Sequence, residues 1–175
     1  MTHDIDWSKS TCGVMLCTFK EAIRIMPEAA PVLEELLNSG NLEFPEEEYL
    51  VDIKVHMLMP KQYPCIPNWH RDFMPRDKNG NRIKGGSTGK KMFMWISGGP
   101  YTEYLDEFQN SVFKLPQKWH SFTQNDLHRG TMAFEHTWSG FIRVIPKEFK
   151  HGSTINFGKP RIHTQVYLDA EKFSW

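Results

Sequence analysis

Between Tyr49 and Met59 the chain alternates, with Val51, Ile53, Val55, Met57 and Met59 separated by Asp52, Lys54, His56 and Leu58. Successive side chains of an extended strand point to opposite faces, so this is the period of a strand with one core face and one largely polar face. Further runs of strand character follow at residues 92–96, 111–115, 140–145 and 162–168, with Pro and Gly between them. Ahead of residue 48 the pattern differs. Residues 13–19 form an apolar run of strand length, and residues 29–37 carry apolar positions at helical spacing that end at Asn38-Ser39-Gly40, a stop signal. The sequence therefore predicts a mainly β fold, a sandwich or barrel over 48–175, prefaced by a short helical N-terminal segment over 1–47.

A chain of 175 residues is the size of one domain, and 39% hydrophobic content with 13% aromatics is enough to build a core. Lys and Arg number 21 and balance 21 Asp and Glu, so the basic excess that drives nonspecific phosphate-backbone binding is missing. The three cysteines, Cys12, Cys17 and Cys65, form no CxxC pair, and an odd number cannot pair off completely. They read as reduced thiols of a cytoplasmic protein. No apolar run approaches the roughly 18 residues of a membrane span, and the start Met1-Thr2-His3-Asp4-Ile5-Asp6 lacks the basic and apolar stretches of a secretory signal.

The chemistry concentrates in Ile66-Pro67-Asn68-Trp69-His70-Arg71-Asp72-Phe73. In extended chain His70 and Asp72 share a face, so an imidazole and a carboxylate can hold one metal ion from adjacent positions. Such a pair also arises as a plain hydrogen-bonded histidine. A second His would complete a two-His, one-carboxylate set, which leaves three positions open on Fe(II). The candidate is His128 in Asn125-Asp126-Leu127-His128-Arg129-Gly130, 58 residues on (128 − 70). Arg143 follows after 15 more (143 − 128), a charge inside the apolar run Phe141-Ile142-Arg143-Val144. A guanidinium there needs a partner: a ligand carboxylate beside the metal, or one of the chain's own acids if it does not simply face outward.

In this order and spacing, His70, Asp72, His128 and Arg143 resemble the Fe(II)- and 2-oxoglutarate-dependent dioxygenases of the double-stranded β-helix, a cupin-like jelly roll, over roughly residues 48–146. The resemblance implies that His70, Asp72 and His128 hold Fe(II), and that 2-oxoglutarate chelates the ion while Arg143 takes its 5-carboxylate. It further implies that the cosubstrate becomes succinate and carbon dioxide as a substrate C–H bond is hydroxylated. Trp69, Phe73, Met94, Trp95 and Phe141 are available for an apolar wall around such a site, or for plain core packing.

His136 is the rival for the distal position, and His56, His120 and His163 also lie in or near the β-rich region. His136 stands only seven residues before Arg143 (143 − 136), in what reads as a turn. The Gly- and Lys-rich segment 75–90 reads as a solvated hairpin excursion, with a lid or an anion contact as alternatives. It carries no Walker motif, because Lys91 stands where Ser or Thr should ligate Mg²⁺. Glu46-Glu47-Glu48 reads as a solvated face, and Cys65 as a half-buried thiol without an activating base. Two other functions stay open: a cupin-like metal enzyme that does not use 2-oxoglutarate, and a non-catalytic β-barrel binding module. A small molecule is the expected substrate, with nucleic acid or protein not excluded. The sequence assigns no oligomeric state.

Overall fold

The structure, a computed structural model, describes residues 3–10, 13–79, 81–149, 160, 161 and 166. Strand β1 (Gly13–Cys17) leads into helices α1 (Phe19–Ile25) and α2 (Ala30–Asn38). Then come β2 (Tyr49–Leu58), β3 (Met92–Ile96), β4 (Thr102–Leu105), β5 (Ser111–Phe113), β6 (His120–Phe122), β7 (His128–Gly130), β8 (Thr137–Pro146) and the short β9 (Pro160–Arg161). The expected strand at 162–168 lies almost wholly outside the described residues. None of the helices among the described residues is long and apolar enough to cross a membrane.

The N-terminal segment folds as two helices where the pattern predicted one. The apolar run from residue 13 stops being a strand at Cys17 because Thr18 caps α1. Its hydroxyl accepts the Glu21 N–H at 3.2 Å, and the Glu21 carboxylate accepts the Thr18 N–H at 3.4 Å, a reciprocal capping box. Helix α2 carries Pro31 in its first turn and buries Val32, Leu33 and Leu36, one apolar stripe.

Antiparallel pairing orders the large sheet β6-β3-β8-β2-β1-β9 and the small sheet β5-β4-β7. Strands β2 and β8 pair over their full ten residues, from Tyr49 opposite Pro146 to Leu58 opposite Thr137. After β2 the chain crosses to the small sheet, where His70 bridges to His128 of β7, and it returns to the large sheet for β3. It crosses again for β4 and β5, returns for β6, crosses for β7 and returns for β8. Winding back and forth between two antiparallel layers in this order makes a double-stranded β-helix, the jelly-roll architecture the sequence predicted.

The large sheet is buried on both faces. Outside, Val51, Ile53, Trp95, Ile142 and Val144 pack with Trp7 and the two helices. Inside, Leu50, Met92, Met94, Ile96 and Ile145 meet Tyr104 of the small sheet. The polar half of the alternation in β2 is therefore not a solvated face. Asp52 is 1% exposed and His56 2%, because that half faces the space between the sheets.

Trp7 lies flat on β8 at Gly140, where an added Cβ would come within 2.2 Å of the indole. Gly140→Ala is expected to cost about 1–3 kcal/mol through overpacking, read as a lower urea midpoint with unchanged slope. Pairing this substitution with Trp7→Leu should restore part of the loss.

Candidate metal centre

His70 and His128 face each other across the small sheet and exchange both backbone hydrogen bonds, each 3.0 Å long. That reciprocal pair brings their rings to 4.3 Å between centroids. Asp72, two residues beyond His70, joins them. One donor atom from each of His70, Asp72 and His128 lies within 4.8 Å of the other two. The separations are 3.8 Å from His70 Nε2 to Asp72 Oδ1 and 3.6 Å from His128 Nε2 to Asp72 Oδ2. Two donors that each stand about 2.1 Å from one ion can be no more than about 4.2 Å apart, a limit each of these two His–Asp72 separations meets by itself, one through each carboxylate oxygen.

The backbone fixes the tautomers. His70 Nδ1 donates to the Asn68 carbonyl at 2.8 Å and His128 Nδ1 to the Asp126 carbonyl at 3.1 Å, the same two-residue offset in both cases. A carbonyl accepts only from a protonated nitrogen, so whenever either ring is neutral its lone pair sits on Nε2, on the side of Asp72. Burial, and then the neighbouring His128, push the His70 imidazolium down in pKa, which favours the neutral donor. At Asp72 burial works to raise the pKa, but the Arg143 guanidinium, then His128 and His70, outweigh it and hold the carboxyl well below the usual carboxylate range. Two imidazoles and a carboxylate are a donor set that a divalent transition metal takes.

Arg143 does meet acids of its own chain. Nη1 donates to Asp72 Oδ2 at 2.6 Å and Nη2 to Asp52 Oδ2 at 3.0 Å, while its buried Nε has no hydrogen-bond partner among the described residues. Asp52 lies opposite it across the β2–β8 ladder. The ring of Phe73 covers the guanidinium at 4.8 Å. Phe73 itself holds φ +52°, a conformation costly for a non-glycine residue, immediately after Asp72. Buried Gln124 secures it: Nε2 donates to the Phe73 carbonyl at 2.7 Å, and Oε1 accepts the Thr88 N–H at 2.9 Å.

The cluster opens into a cavity of about 240 Å³, with His70, Asp72, His128 and Arg143 in its wall beside Lys54, Cys65, Met94, Tyr104, Ser139 and Phe141. Burial pushes the Cys65 thiol up to about 11, so it stays protonated at neutral pH, as expected of a thiol without an activating base. The Tyr104 hydroxyl donates to Met94 Sδ at 2.8 Å, and its ring stacks on His128 at 5.2 Å.

Of the five aromatic and Met residues expected in the wall, Met94 and Phe141 line the cavity and Phe73 covers Arg143. Trp95 instead packs on the outer face against Trp7, because it alternates with Met94 along β3. Trp69 lies under Arg129, 4.6 Å from ring centroid to guanidinium, and Arg129 pairs with Glu103. His136 is exposed in the turn before β8, His120 is tied to the Leu115 carbonyl, and His163 lies outside the described residues. Glu46–Glu48 is an exposed turn of 3-10 helix. The 75–90 segment folds as an excursion with a short bridge between Arg76 and Arg82 and is largely exposed among its described residues. Sequence reasoning missed Asp52, Lys54 and Tyr104 as neighbours of the cluster.

The strand order and this cluster together define a cupin-like double-stranded β-helix with a His-Asp-His group at one end of an internal cavity. No family model matches the sequence, and no curated protein matches it either. Among solved structures the chain is similar to a prolyl 4-hydroxylase from Phytophthora capsici, at 15% identity and TM-score 0.39, over 69% of this chain and 40% of that one. It is also similar to a cupin protein from Bacteroides fragilis, at 11% identity and TM-score 0.33, over 61% of this chain and 73% of that one. A cupin-2 domain containing protein from Shewanella frigidimarina shares 6% identity, with TM-score 0.32, over 61% of this chain and 78% of that one. The chain thus spans about two fifths of the length of the prolyl 4-hydroxylase.

Proposed function

We propose that this chain is a non-haem Fe(II)- and 2-oxoglutarate-dependent oxygenase that hydroxylates a small molecule. The observation that carries the reading is the convergence of His70 Nε2, Asp72 and His128 Nε2 at the wall of one cavity. When bound, ferrous iron and 2-oxoglutarate supply the dioxygen activation that yields succinate, carbon dioxide and an oxidised substrate carbon.

The chain's own residues do the rest. His70 and His128, held at Nδ1 by main-chain carbonyls, offer Nε2 on one side and leave the cavity side for other ligands. Arg143 grips the second oxygen of Asp72 and so fixes the plane of that carboxylate. Met94, Ile96, Phe122 and Phe141 keep water from the rest of the wall, which strengthens every charge contact inside. At roughly 30 Å³ per water, 240 Å³ is the room of about eight waters, enough for a small keto acid.

A second reading, a metal enzyme that does not use 2-oxoglutarate, is favoured by one observation: both terminal nitrogens of Arg143 are already engaged by Asp72 and Asp52. Anaerobic titration separates the two. Fe(II) followed by 2-oxoglutarate is expected to raise the weak visible charge-transfer band of the chelate, and a chelator should abolish it. Iron binding without the band supports the second reading; folded protein that takes up no iron overturns both.

A further inference from the structure

The small sheet ends differently on its two sides. Beyond β7 the chain closes it, because His128 exchanges backbone hydrogen bonds with His70 and the Gly130 N–H donates to the Ile66 carbonyl at 2.9 Å. On the other side β5 is the outermost strand, and among the described residues no strand pairs with its free edge. Its residues Ser111, Val112 and Phe113 are all exposed. Exposed edges of native sheets are usually guarded by a charge or a proline. Here Lys114, the one charge between Asn110 and Pro116, is turned back over the Tyr104 ring at 5.1 Å, while Phe108, Val112, Phe113 and Leu115 present apolar surface.

Hydrogen-bond parity decides what this edge can accept. The Lys114 N–H donates to the Thr102 carbonyl at 3.2 Å and the Asp106 N–H to the Asn110 carbonyl at 2.9 Å. Bonded and non-bonded pairs alternate along an antiparallel ladder, so between those two bonds Tyr104 and Val112 form the bonded pair. Glu103 with Phe113 and Leu105 with Ser111 are then non-bonded pairs, and the N–H and C=O groups of Ser111 and Phe113 all point away from β4. An antiparallel copy of β5 turned about Val112 sets Ser111 opposite Phe113 of the second copy, and Phe113 opposite its Ser111. Each of these pairs exchanges both hydrogen bonds, so every outward group of both strands is used. Val112 meets its own symmetry mate in the close non-bonded pair between them. The charges agree with a reversed copy: Asp106 and Glu107 precede β5, and Lys114 and Lys118 follow it. Reversal lays the acidic end of one strand against the basic end of the other, whereas a parallel neighbour would oppose like charges.

We propose that β5 is a self-complementary docking strand, at which a second copy of this chain pairs antiparallel about Val112 and joins the two small sheets into one, in the order β7-β4-β5-β5-β4-β7. The two-fold arrangement uses up both edges, so assembly stops at a dimer. Strands of three residues bury little surface between them, and the dimer is correspondingly weak, with a dissociation constant on the order of 10 μM.

Sedimentation of the full chain tests this, and wild type is expected to pass from monomer to dimer between about 1 μM and about 1 mM. Val112→Lys sets two ammonium groups side by side at the two-fold axis and should raise the dissociation constant at least about tenfold. Phe113→Pro removes an N–H that only the dimer uses and should act in the same direction. Circular dichroism checks both folds, and Val112→Lys, at an exposed position, keeps the test in force if the proline variant does not fold. Register is read by cross-linking: Val112→Cys should form a disulfide between two copies on mild oxidation, and Phe113→Cys, whose counterpart stands opposite Ser111, should not. A wild type that stays monomeric to about 1 mM overturns the proposal, even if it takes an extended peptide of another protein at this edge. So does a dimer that Val112→Lys leaves intact, or cross-linking as rapid through Phe113→Cys as through Val112→Cys.

Discussion

Replacing Arg143 by methionine is expected to cost the metal-free chain about 3–5 kcal/mol at neutral pH, because it strands the carboxylates of Asp52 and Asp72 in a buried space. The sign of the pH dependence separates lost charge from lost packing. In wild type Asp72 titrates below its unfolded value, so its contribution is complete above about pH 4 and fades as pH falls through the folded value. Without the guanidinium, burial raises that same carboxyl, and the variant recovers relative to wild type as acid neutralises it. Urea unfolding at several pH values reads the difference. A deficit that stays constant from pH 7 to pH 4 would assign the loss to packing against Phe73 rather than to charge. With the proposed metal saturating, the deficit at neutral pH should shrink, since the ion replaces the guanidinium as partner of Asp72.

The second large effect is expected at His128. Removing one of three donors should weaken Fe(II) binding by roughly a hundredfold or more, taking about 3 kcal/mol per protein ligand. Calorimetric titration of His128→Ala tests this, with circular dichroism to confirm the fold, since His128 is buried and stacked on Tyr104. His136→Ala is the matched control. Its side chain is exposed in the turn ahead of β8, so metal affinity should be unchanged. Equal losses in both variants would refute His128 as the distal ligand.

The long elements were legible because each repeats its period several times. Strands β2 and β8 and helix α2 lie where alternation or helical spacing predicted them, to within a few residues. Strands β4, β6 and β7, of four, three and three residues, are too short to display an alternation, and their sequences Thr-Glu-Tyr-Leu, His-Ser-Phe and His-Arg-Gly are largely polar. The chain's register across the small sheet, and not local pattern, makes them strands. Helix α1 did carry a signal, the Thr18-to-Glu21 capping box, but the apolar run ahead of it ends in Phe19 and reads as strand to its last residue.

The geometry of the candidate centre was legible through spacing, since His70 and Asp72 are two apart and His128 lies on a strand that must return to them. Its surroundings were not. Asp52 and Lys54 occupy the polar half of an alternation, which ordinarily means solvent; here a second sheet covers that half and turns it into a cavity wall. Nothing local to Asp52-Ile53-Lys54 distinguishes a polar residue facing water from one facing an internal chamber. The partner of Arg143 was foreseeable as an acid, yet which acid depended on the β2–β8 register.

Gln124 joins the two ends of the chain excursion between Phe73 and Thr88 with one side chain buried to 1% exposure. Because the stem is fastened there, distortion of the tip stops at the knot and is not passed back to Phe73 or the neighbouring donor. The excursion is thereby free to lengthen, shorten or carry foreign residues while the chemistry beneath it keeps its shape, which makes this the place where the architecture can diversify at least cost.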